Sequence, residues 1–334
     1  MILKRENAEK LLRRFGDTRI LVVGDLMLDR YIFGSVSRIS PEAPVPVVHV
    51  GSESSRLGGA SNVSLNIASL GGSSIVAGIV GEDEAGSDLL KTLTTAGIET
   101  GGVVCVDGIQ TTVKTRIIAD RQQVARVDYE DGQSVYADKI EALSKMLPDL
   151  VKDSTGVIIE DYGKGVVCQE VVDVVLAAAK EYGKPVGFDP KDNHKLNMPW
   201  LTFATPNYRE ACLATGQPEL PLSDSPADSE GLRVAGEMLA KQWDTEFLMI
   251  TLGPNGMYLC PKGGEPSVQP TLAKEVFDVS GAGDTVIAVA MMAISAGVEY
   301  KEAASLANHA AGVVVGKLGT ATCSVDELIE SFDV

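Results

Sequence analysis

The sequence predicts an α/β fold in which helices cover both faces of a mostly parallel sheet and a small β-sheet lid projects from the body. From about Ser154 onward, apolar strand-like runs alternate with helical segments, which is typical of a parallel sheet. The first third instead carries short β-like runs with few helices between them. Because ligands bind beyond the carboxyl ends of parallel strands, polar residues that follow strands are the first functional candidates.

The N-terminal part contains a helix, one buried strand and the lid. "MILKRENAEKLLRRFG" has near-helical apolar spacing and is interpreted as a docked helix rather than a targeting peptide. The apolar run 20–23 predicts a buried strand. Helices are predicted after Gly59 and Glu82, whereas "VPVVHVG", "VVCVDG", "TTVKTRIIAD" and "QQVARVDYED" are predicted as strands of the lid. The lid segments are placed at about 30–57 and 103–130.

The stretch "RISPEAPVPV", residues 38–47, carries three prolines at a spacing that neither a helix interior nor a central strand accepts. It is interpreted as an extended entry to the lid, with Gly58 and Gly59 as a hinge. Prolines there would lower the entropic cost of ordering the segment over a substrate.

The C-terminal part predicts regular βα units. Strands are predicted at "TGVIIEDYG", "KPVGFDP", "WLTFATPN" and "EFLMITLG", and helices at "QEVVDVVLAAAKEYG", which ends at Gly183, "YREACLATG" and "SEGLRVAGEMLAKQW". "TVIAVAMMAISAG" is too short to span a bilayer and predicts a buried helix. "GQPELPLSDSPADSE" is interpreted as a surface loop.

Charge and cysteine content restrict the function class. The formal net charge of −17 argues against nucleic-acid and anionic-membrane partners, which would repel most of this surface. The five cysteines are widely spaced and contain no C-x-x-C pair, so neither a disulfide framework nor a zinc site is indicated. Reduced thiols in the cytoplasm are expected.

The strongest chemical signal is "DVSGAGD", residues 278–284, directly before the buried helix. Gly281, Ala282 and Gly283 allow backbone N–H groups at a helix start to approach an anion, with the helix dipole behind them. Asp284 in the first turn would accept a proton from an attacking hydroxyl during phosphoryl transfer. The alternative is a glycine-rich helix start whose aspartate only complements the dipole.

A second glycine-containing stretch is "RLGGASNVSLNIASLGG". Gly58 and Gly59 precede a helix of small residues, and Asn62 in its first turn is a candidate hydroxyl ligand. Two glycines by themselves more often mark a turn.

Together the two stretches resemble the paired signatures of ribokinase-like (PfkB) sugar kinases, and the resemblance covers about residues 18–330. It implies that Asp284 is the base and that Gly281, Ala282 and Gly283 form the anion hole for the transferred phosphoryl group, with ATP and Mg²⁺ as cofactors. Asn207 and Glu210 match the family's N-x-x-E motif, whose carboxylate organises Mg²⁺ and its waters. A capping box would look the same in sequence.

The resemblance also implies a nucleotide loop and a monovalent-cation loop. The nucleotide residues are Asn207, Thr251, Gly253, Gly256 and Asn308. The cation loop, which would hold K⁺, has two departures from the usual pattern, at Ser280 and Lys317. Its residues are Asp278, Ser280, Val314, Lys317 and Gly319.

Four further stretches resemble the heptose 7-phosphate kinases of lipopolysaccharide core biosynthesis: "GDLMLDRYIFGSVSRISPEAPVPVV", "GGASNVSLNIASLGG", "EDYGKG" and "AAGVVVGKLGT". This implies transfer of phosphate from ATP to O1 of D-glycero-D-manno-heptose 7-phosphate. Nothing like the "G-x-F-D-x-L-H-x-G-H" opening of the nucleotidyltransferase domain found in several relatives occurs here. One kinase domain, 1–334, is therefore expected.

A substrate that already carries phosphate needs cations, which an acidic protein must supply locally. Each candidate considered singly fits a solvated surface charge better; the candidates are Arg38, Lys114, Arg116, Arg126, Lys164 and Lys191. Asp25 and Asp29, at the end of the first strand, are candidates for binding sugar hydroxyls, with turn and cap roles as the alternative. Asp161 and Asp189 also end strands, without an assigned role.

Three other functions were weighed. A kinase of this family acting on a hexose phosphate, ribose or fructose is the nearest alternative. A non-catalytic sugar-binding regulator would have no need of Asp284, and a Rossmann dehydrogenase lacks its G-x-G-x-x-G after the first strand. Pairing of two lids would cover their exposed strand edges, so a homodimer is expected.

Overall fold

A computed structural model of the chain describes residues 3–120, 122–131, 137–192, 194–223, 225–273 and 275–333. Residue 121 of the second predicted lid segment and residue 224 of the predicted surface loop lie outside the described residues, as do residues 1 and 2 of the predicted N-terminal helical segment.

A large sheet runs through the body of the protein. Within the described ranges it has nine strands in the order β13-β12-β11-β10-β9-β8-β1-β4-β5. In this order, the seven strands from β11 to β5 are all parallel to their neighbours. Strands β12 and β13 are added antiparallel at the β11 edge. Its strands are β1 (Arg19–Gly24), β4 (Ser73–Gly81), β5 (Glu99–Val106), β8 (Gly156–Glu160), β9 (Val186–Asp189), β10 (Leu201–Ala204), β11 (Thr245–Thr251), β12 (Met257–Pro261) and β13 (Ser267–Gln269).

Helices cover both faces of this sheet, as predicted. Strands β1, β4 and β8 are almost continuous apolar runs because both of their faces are buried. One apolar layer packs α2, α8 and α9 on the sheet, and the other packs α4 to α7. The helices are α1 (Arg5–Leu12), α2 (Ala60–Ser69), α3 (Glu84–Thr95), α4 (Ala137–Lys152), α5 (Gln169–Tyr182), α6 (Tyr208–Thr215), α7 (Glu230–Gln242), α8 (Ala282–Ser295), α9 (Tyr300–Val314) and α10 (Val325–Glu330).

Helix α8 positions the site. It is buried on nearly all sides, from Asp284 to Ala293, which explains why its sequence shows no polar face. It packs against α2 and α9 and against the ends of β8 and β9. Among the described residues, no helix has the length and hydrophobicity needed to cross a bilayer.

A separate small sheet projects from the body, in agreement with the fold prediction. Its four strands in the described ranges have the order β3-β2-β6-β7. The hairpin pairs β2–β3 and β6–β7 are antiparallel, and β2 pairs with β6 in parallel. The strands are β2 (Leu26–Ile39), β3 (Pro46–Gly59), β6 (Thr112–Ala119) and β7 (Gln122–Tyr129).

One predicted lid strand was placed in the wrong sheet. "VVCVDG" lies in β5, which pairs with β4 at the edge of the large sheet, so the second segment joins the small sheet only from Thr112. Strand β5 buries only two of its eight residues, Gly102 and Val106, because it is an edge strand, so its sequence resembles that of a half-exposed lid strand.

The proline stretch forms the distal end of the β2–β3 hairpin. Residues 41–45 make the bend, and Pro46 opens the edge strand β3 opposite Ile39. An edge strand tolerates proline because one of its N–H rows needs no partner in the ladder. Ile39, Val45 and Val50 at this end are exposed. Pairing of two chains through the small sheet stays a prediction.

Candidate active site

Asp284 lies in the first turn of α8 and is held by two donors. The preceding Gly281 is the N-cap, with φ of +79°. The Asp284 carboxylate is 3% exposed; its Oδ2 accepts a hydrogen bond from Asn62 Nδ2 at 2.6 Å and its Oδ1 accepts one from the Tyr162 hydroxyl at 2.7 Å. The two glycine-containing stretches of the sequence therefore meet at this carboxylate.

Burial and hydrogen bonding act in opposite directions on Asp284. Burial raises the pKa of its carboxyl, and the bonds from Asn62 and Tyr162 lower that pKa again by favouring the charged form. The hydroxyl of Tyr162 is kept protonated, because burial and the adjacent Asp284 charge raise its pKa well above the usual value. The site thus holds a buried carboxylate with both oxygens oriented.

Asn62 retains an unused acceptor. Its side chain is fully buried in the first turn of α2, and its Oδ1 has no hydrogen-bond partner within the described residues. A buried amide oxygen without a partner costs free energy unless a ligand hydroxyl or water donates to it. The predicted role of Asn62 as a ligand of a substrate hydroxyl stays a prediction.

Asp25 has a different place from the predicted one. Its carboxylate, 1% exposed, accepts the backbone N–H groups of Tyr162, Lys164 and Val166 at 2.9 to 3.0 Å. It therefore fixes the loop 161–166 after β8, and the structure gives it no free face for sugar hydroxyls. The turn and cap alternative describes Asp25 better than the sugar-ligand prediction does.

Tyr162 was missed from the sequence. The loop held by Asp25 aims its hydroxyl at Asp284, while the neighbouring Asp161 is directed away and bonds His194 Nδ1 at 2.6 Å. This bond raises the pKa of His194. A tyrosine two residues after the end of β8 was the available signal, but only the adjacency of β8 and α8 shows what it contacts.

The predicted cations separate into two groups. Arg116 forms an ion pair with the buried Asp29, and Arg126 forms one with Asp128, so both charges are compensated inside the small sheet. Arg38 is exposed and lies nine residues along β2 from Asp29, about 30 Å away in an extended strand. The structure does not bring Arg38 or Arg126 to Asp284. The other predicted cations, which lie around Tyr162, are Lys114, Lys164 and Lys191.

Gly58 and Gly59 are required by close packing of β3. A Cβ at Gly58 would lie 2.6 Å from Asp29 Oδ2, and one at Gly59 would lie 2.5 Å from the backbone oxygen of Asp25. Both residues are paired with β2. Their proposed roles as hinge and substrate ligands stay predictions.

A cleft of about 620 Å³ joins the predicted nucleotide residues to Asp284. Its lining brings together segments that lie far apart in the sequence, at the carboxyl ends of the strands. Tyr162 and Asp189 also line it. Its predicted members are Asn207, Glu210, Thr251, Gly253, Gly256, Gly281, Ala282, Gly283, Asp284 and Asn308. Asn308 additionally donates to the Pro270 carbonyl at 2.8 Å.

Glu210 forms the capping box and also lines the cleft, while its role toward Mg²⁺ stays a prediction. The capping box is present, because Asn207 Oδ1 accepts from the Glu210 N–H and Glu210 Oε2 accepts from the Asn207 N–H. The same carboxyl lines the cleft, and burial raises its pKa to about 7. Its remaining oxygen is a hard donor of the type Mg²⁺ prefers. The described residues contain no cluster of three or more side chains that would hold a metal by themselves.

Two further buried acids, Asp189 in the cleft lining and Glu160, interact electrostatically with Asp284. Glu160 ends β8, is fully buried, and within the described residues has no hydrogen-bond partner on either oxygen. Asp189 ends β9, accepts from the Thr205 hydroxyl at 2.5 Å, and lies against Gly283. Burial raises the pKa of both carboxyls well above the usual value. These shifts favour the neutral form of both acids, which repels a bound anion less than the charged form does.

The predicted cation loop is folded back on itself. Asp278 accepts the N–H groups of Ser280 and Gly319, each at 2.9 Å, and these bonds outweigh the effect of burial and lower its pKa. The Lys317 ammonium points to Glu327 and to the Thr322 carbonyl. Val314 closes α9 and is buried. A requirement for K⁺ stays a prediction.

A family model described as pfkB family carbohydrate kinase matches residues 17–327. The chain belongs to this family. Within the pfkB family, curated relatives include the bifunctional protein HldE of Desulfatibacillum aliphaticivorans, 42% identical over 94% of this chain and 63% of that protein. The HldE of Geobacter sulfurreducens is 41% identical over 98% of this chain and 66% of its own length. The chain thus spans about two thirds of these relatives.

Solved structures show the same fold. Ribokinase of Arabidopsis thaliana, complexed with ribose and ATP, superposes with a TM-score of 0.72 at 20% identity and covers 95% of this chain and 99% of its own. Phosphofructokinase-2 of Escherichia coli gives a TM-score of 0.74 at 15% identity and covers 95% and 98%. The protein is a carbohydrate kinase of the pfkB family with a ribokinase-like fold.

Proposed function

We propose that this kinase transfers the γ-phosphoryl group of ATP to O1 of D-glycero-D-manno-heptose 7-phosphate and yields the 1,7-bisphosphate and ADP. The observation that carries the proposal is the Asp284 carboxylate, bonded to Asn62 and Tyr162 at the start of α8 in the cleft of the nucleotide residues. The choice of heptose is supported by the four stretches that resemble heptose 7-phosphate kinases and by relatives named HldE.

The reaction needs a base and an anion site at one place. Asp284 accepts the proton of the O1 hydroxyl as this oxygen forms its bond to the γ-phosphorus, and the bond to the β–γ bridging oxygen breaks to release ADP. The N–H groups of residues 281–283 and the α8 dipole stabilise the transferred group. Asn62 and Tyr162 keep the carboxylate pointed at the acceptor oxygen.

The donor set fits Mg²⁺ held mainly by water and nucleotide. Glu210, assisted by Asn207, would orient these ligands, since its carboxyl lines the cleft beside the nucleotide residues. When bound, the ion would neutralise charge on the ATP phosphates. Among the described residues, no cluster of three or more His, Cys, Asp or Glu side chains could hold the ion by itself. Kinases commonly bind Mg²⁺ through one or two carboxylates, water and the phosphates of the substrate.

A panel of acceptors tests the substrate assignment. We expect the highest kcat/KM with heptose 7-phosphate when ADP release is measured over heptose 7-phosphate, fructose 6-phosphate, ribose and fructose. Higher kcat/KM with ribose or fructose would reject the heptose assignment. Binding of sugar without any consumption of ATP would instead indicate a non-catalytic binder.

Removal of the Tyr162 hydroxyl should shift the pH profile of the reaction. In Tyr162→Phe the Asp284 carboxylate loses a donor that lowers its pKa, so this pKa rises and the base becomes protonated at higher pH. We expect the acidic limb of kcat/KM to move to higher pH, with a loss of roughly tenfold near its midpoint. The control is Tyr182→Phe, a tyrosine at the C-terminal end of α5. An unmoved or lower limb would contradict this role of Tyr162.

A further inference from the structure

Two of the predicted cations lie over one side chain, and a third acts on the first of them. Lys114 comes from β6, Lys164 from the loop after β8, and Lys191 from the loop after β9. The Nζ atoms of Lys114 and Lys191 lie 5.2 and 5.8 Å from the ring centroid of Tyr162, whose hydroxyl bonds Asp284. We call these three residues the lysine cluster. It lies one tyrosine ring away from the candidate base.

The charges of the lysine cluster repel one another. Burial lowers the pKa of the Lys114 ammonium, and the neighbouring charges of Lys164 and Lys191 lower it further. Grouping three ammonium ions in a partly buried place is unfavourable for the free protein. A protein of net charge −17 has ample carboxylates to separate or neutralise them, yet this grouping is kept beside Asp284. A bound anion would relieve the repulsion.

Local counterions leave room for such an anion. Lys164 is paired with Glu130 at 2.5 Å. Asp29 and Asp128, whose charges raise the pKa of Lys114, are themselves paired with Arg116 and Arg126. Within the described residues, Lys114 and Lys191 form no ion pair with a carboxylate, unlike Lys164, Arg116 and Arg126. Of the six predicted cations, those of the lysine cluster would therefore be stabilised most by charge-assisted hydrogen bonds to a bound anion.

We propose that Lys114, Lys164 and Lys191 form a subsite for the phosphate monoester that the acceptor already carries. This inference rests on the proposed function and names the groups that select a phosphorylated sugar. With O1 at Asp284, the far end of a seven-carbon sugar would extend past the Tyr162 ring, toward Lys114 and Lys191 over that ring and the neighbouring charge of Lys164. A dianion there forms charge-assisted hydrogen bonds that an unphosphorylated sugar lacks.

The γ-phosphate of ATP has the same chemistry and is the competing occupant. Of the three lysines, Lys191 is the best placed to bind the γ-phosphate, since its charge also acts on Glu210 and Asp189 of the cleft. Lys114 instead lies on the small sheet, opposite Asp29 and Asp128 in the strand pairing. The acceptor phosphate is favoured because two of the three lysines lie away from the nucleotide residues.

The test replaces each lysine by methionine, which keeps the aliphatic length and removes the charge. Steady-state kinetics are measured with heptose 7-phosphate, with unphosphorylated heptose and with ATP as the varied substrate. We expect each variant to lose about 10- to 100-fold in kcat/KM for heptose 7-phosphate, with little change for unphosphorylated heptose or in KM for ATP. Lys180→Met, an exposed lysine of α5, is the matched control.

Inhibition by inorganic phosphate gives a second readout. The unfolding temperature of every variant is measured to confirm that it is folded. We expect phosphate to inhibit in competition with heptose 7-phosphate, and the three variants to weaken that inhibition about tenfold. Equal losses on both acceptors, or competition with ATP alone, would overturn the subsite. If the unaltered enzyme itself prefers an unphosphorylated sugar, the proposed function fails first; if its preference for the 7-phosphate survives all three substitutions, only the subsite fails.

Discussion

Asp284→Asn should lower kcat by roughly 10²- to 10⁴-fold while the protein remains folded and still binds ATP. Asparagine has nearly the same shape, so Asn62 or Tyr162 can still donate to its remaining oxygen. The amide cannot accept the acceptor proton at neutral pH, and the step that needs a base is therefore slowed. Single-turnover measurement of ADP formation at saturating ATP and sugar gives the effect on chemistry directly.

Asp326→Asn is the matched control for this loss. Asp326 also lies in the first turn of a helix, α10, but its side chain is exposed and lies outside the cleft. Both variants lose a carboxylate that complements a helix dipole, which is worth a few tenths of a kcal/mol to about 1 kcal/mol. Comparable kcat values in the two variants would mean that Asp284 serves only the helix, and the proposed base would be rejected.

The sequence was most informative where one short segment carries a whole function. The segment 278–284 contains both the helix start and Asp284, so its geometry is local and its prediction needs no tertiary information. Asn207 and Glu210 are likewise local, and the structure shows that the cap and the cleft-lining position coexist. Such motifs keep their meaning whatever the strand order is.

The missed residues depend on strand order. Tyr162 contacts Asp284, and Glu160 interacts with it electrostatically, because β8 lies beside α8 although more than a hundred residues of sequence separate them. The sequence around Arg38 suggested a substrate ligand, yet the length of the β2–β3 hairpin places Arg38 far from Asp29 and the candidate active site. Lys114 was one of six equivalent candidates until the pairing of β6 with β2 placed it near Tyr162.

Gly281→Ala should disturb the site through the backbone. The N-cap glycine has φ of +79°, a region that costs a residue with a Cβ about 1–2 kcal/mol. Its Cβ would also lie 2.9 Å from Asn62 Nδ2, the atom that donates to Asp284. Either the helix start or the Asn62 amide must shift. Because displacements of about 1 Å cost about 10²-fold in rate, we expect kcat to fall by that order.

Gly183→Ala is the control that separates backbone strain from the Asn62 contact in Gly281→Ala. Gly183 ends α5 with φ of +63°, and a Cβ there would meet nothing within 4 Å. Both alanines should therefore lower the free energy of unfolding in denaturant titrations, by about 1 kcal/mol from the backbone strain that they share. Only Gly281→Ala should lower kcat, since only its Cβ meets the donor that orients the base. Equal kcat in the two variants would show that the Asn62 contact does not control Asp284.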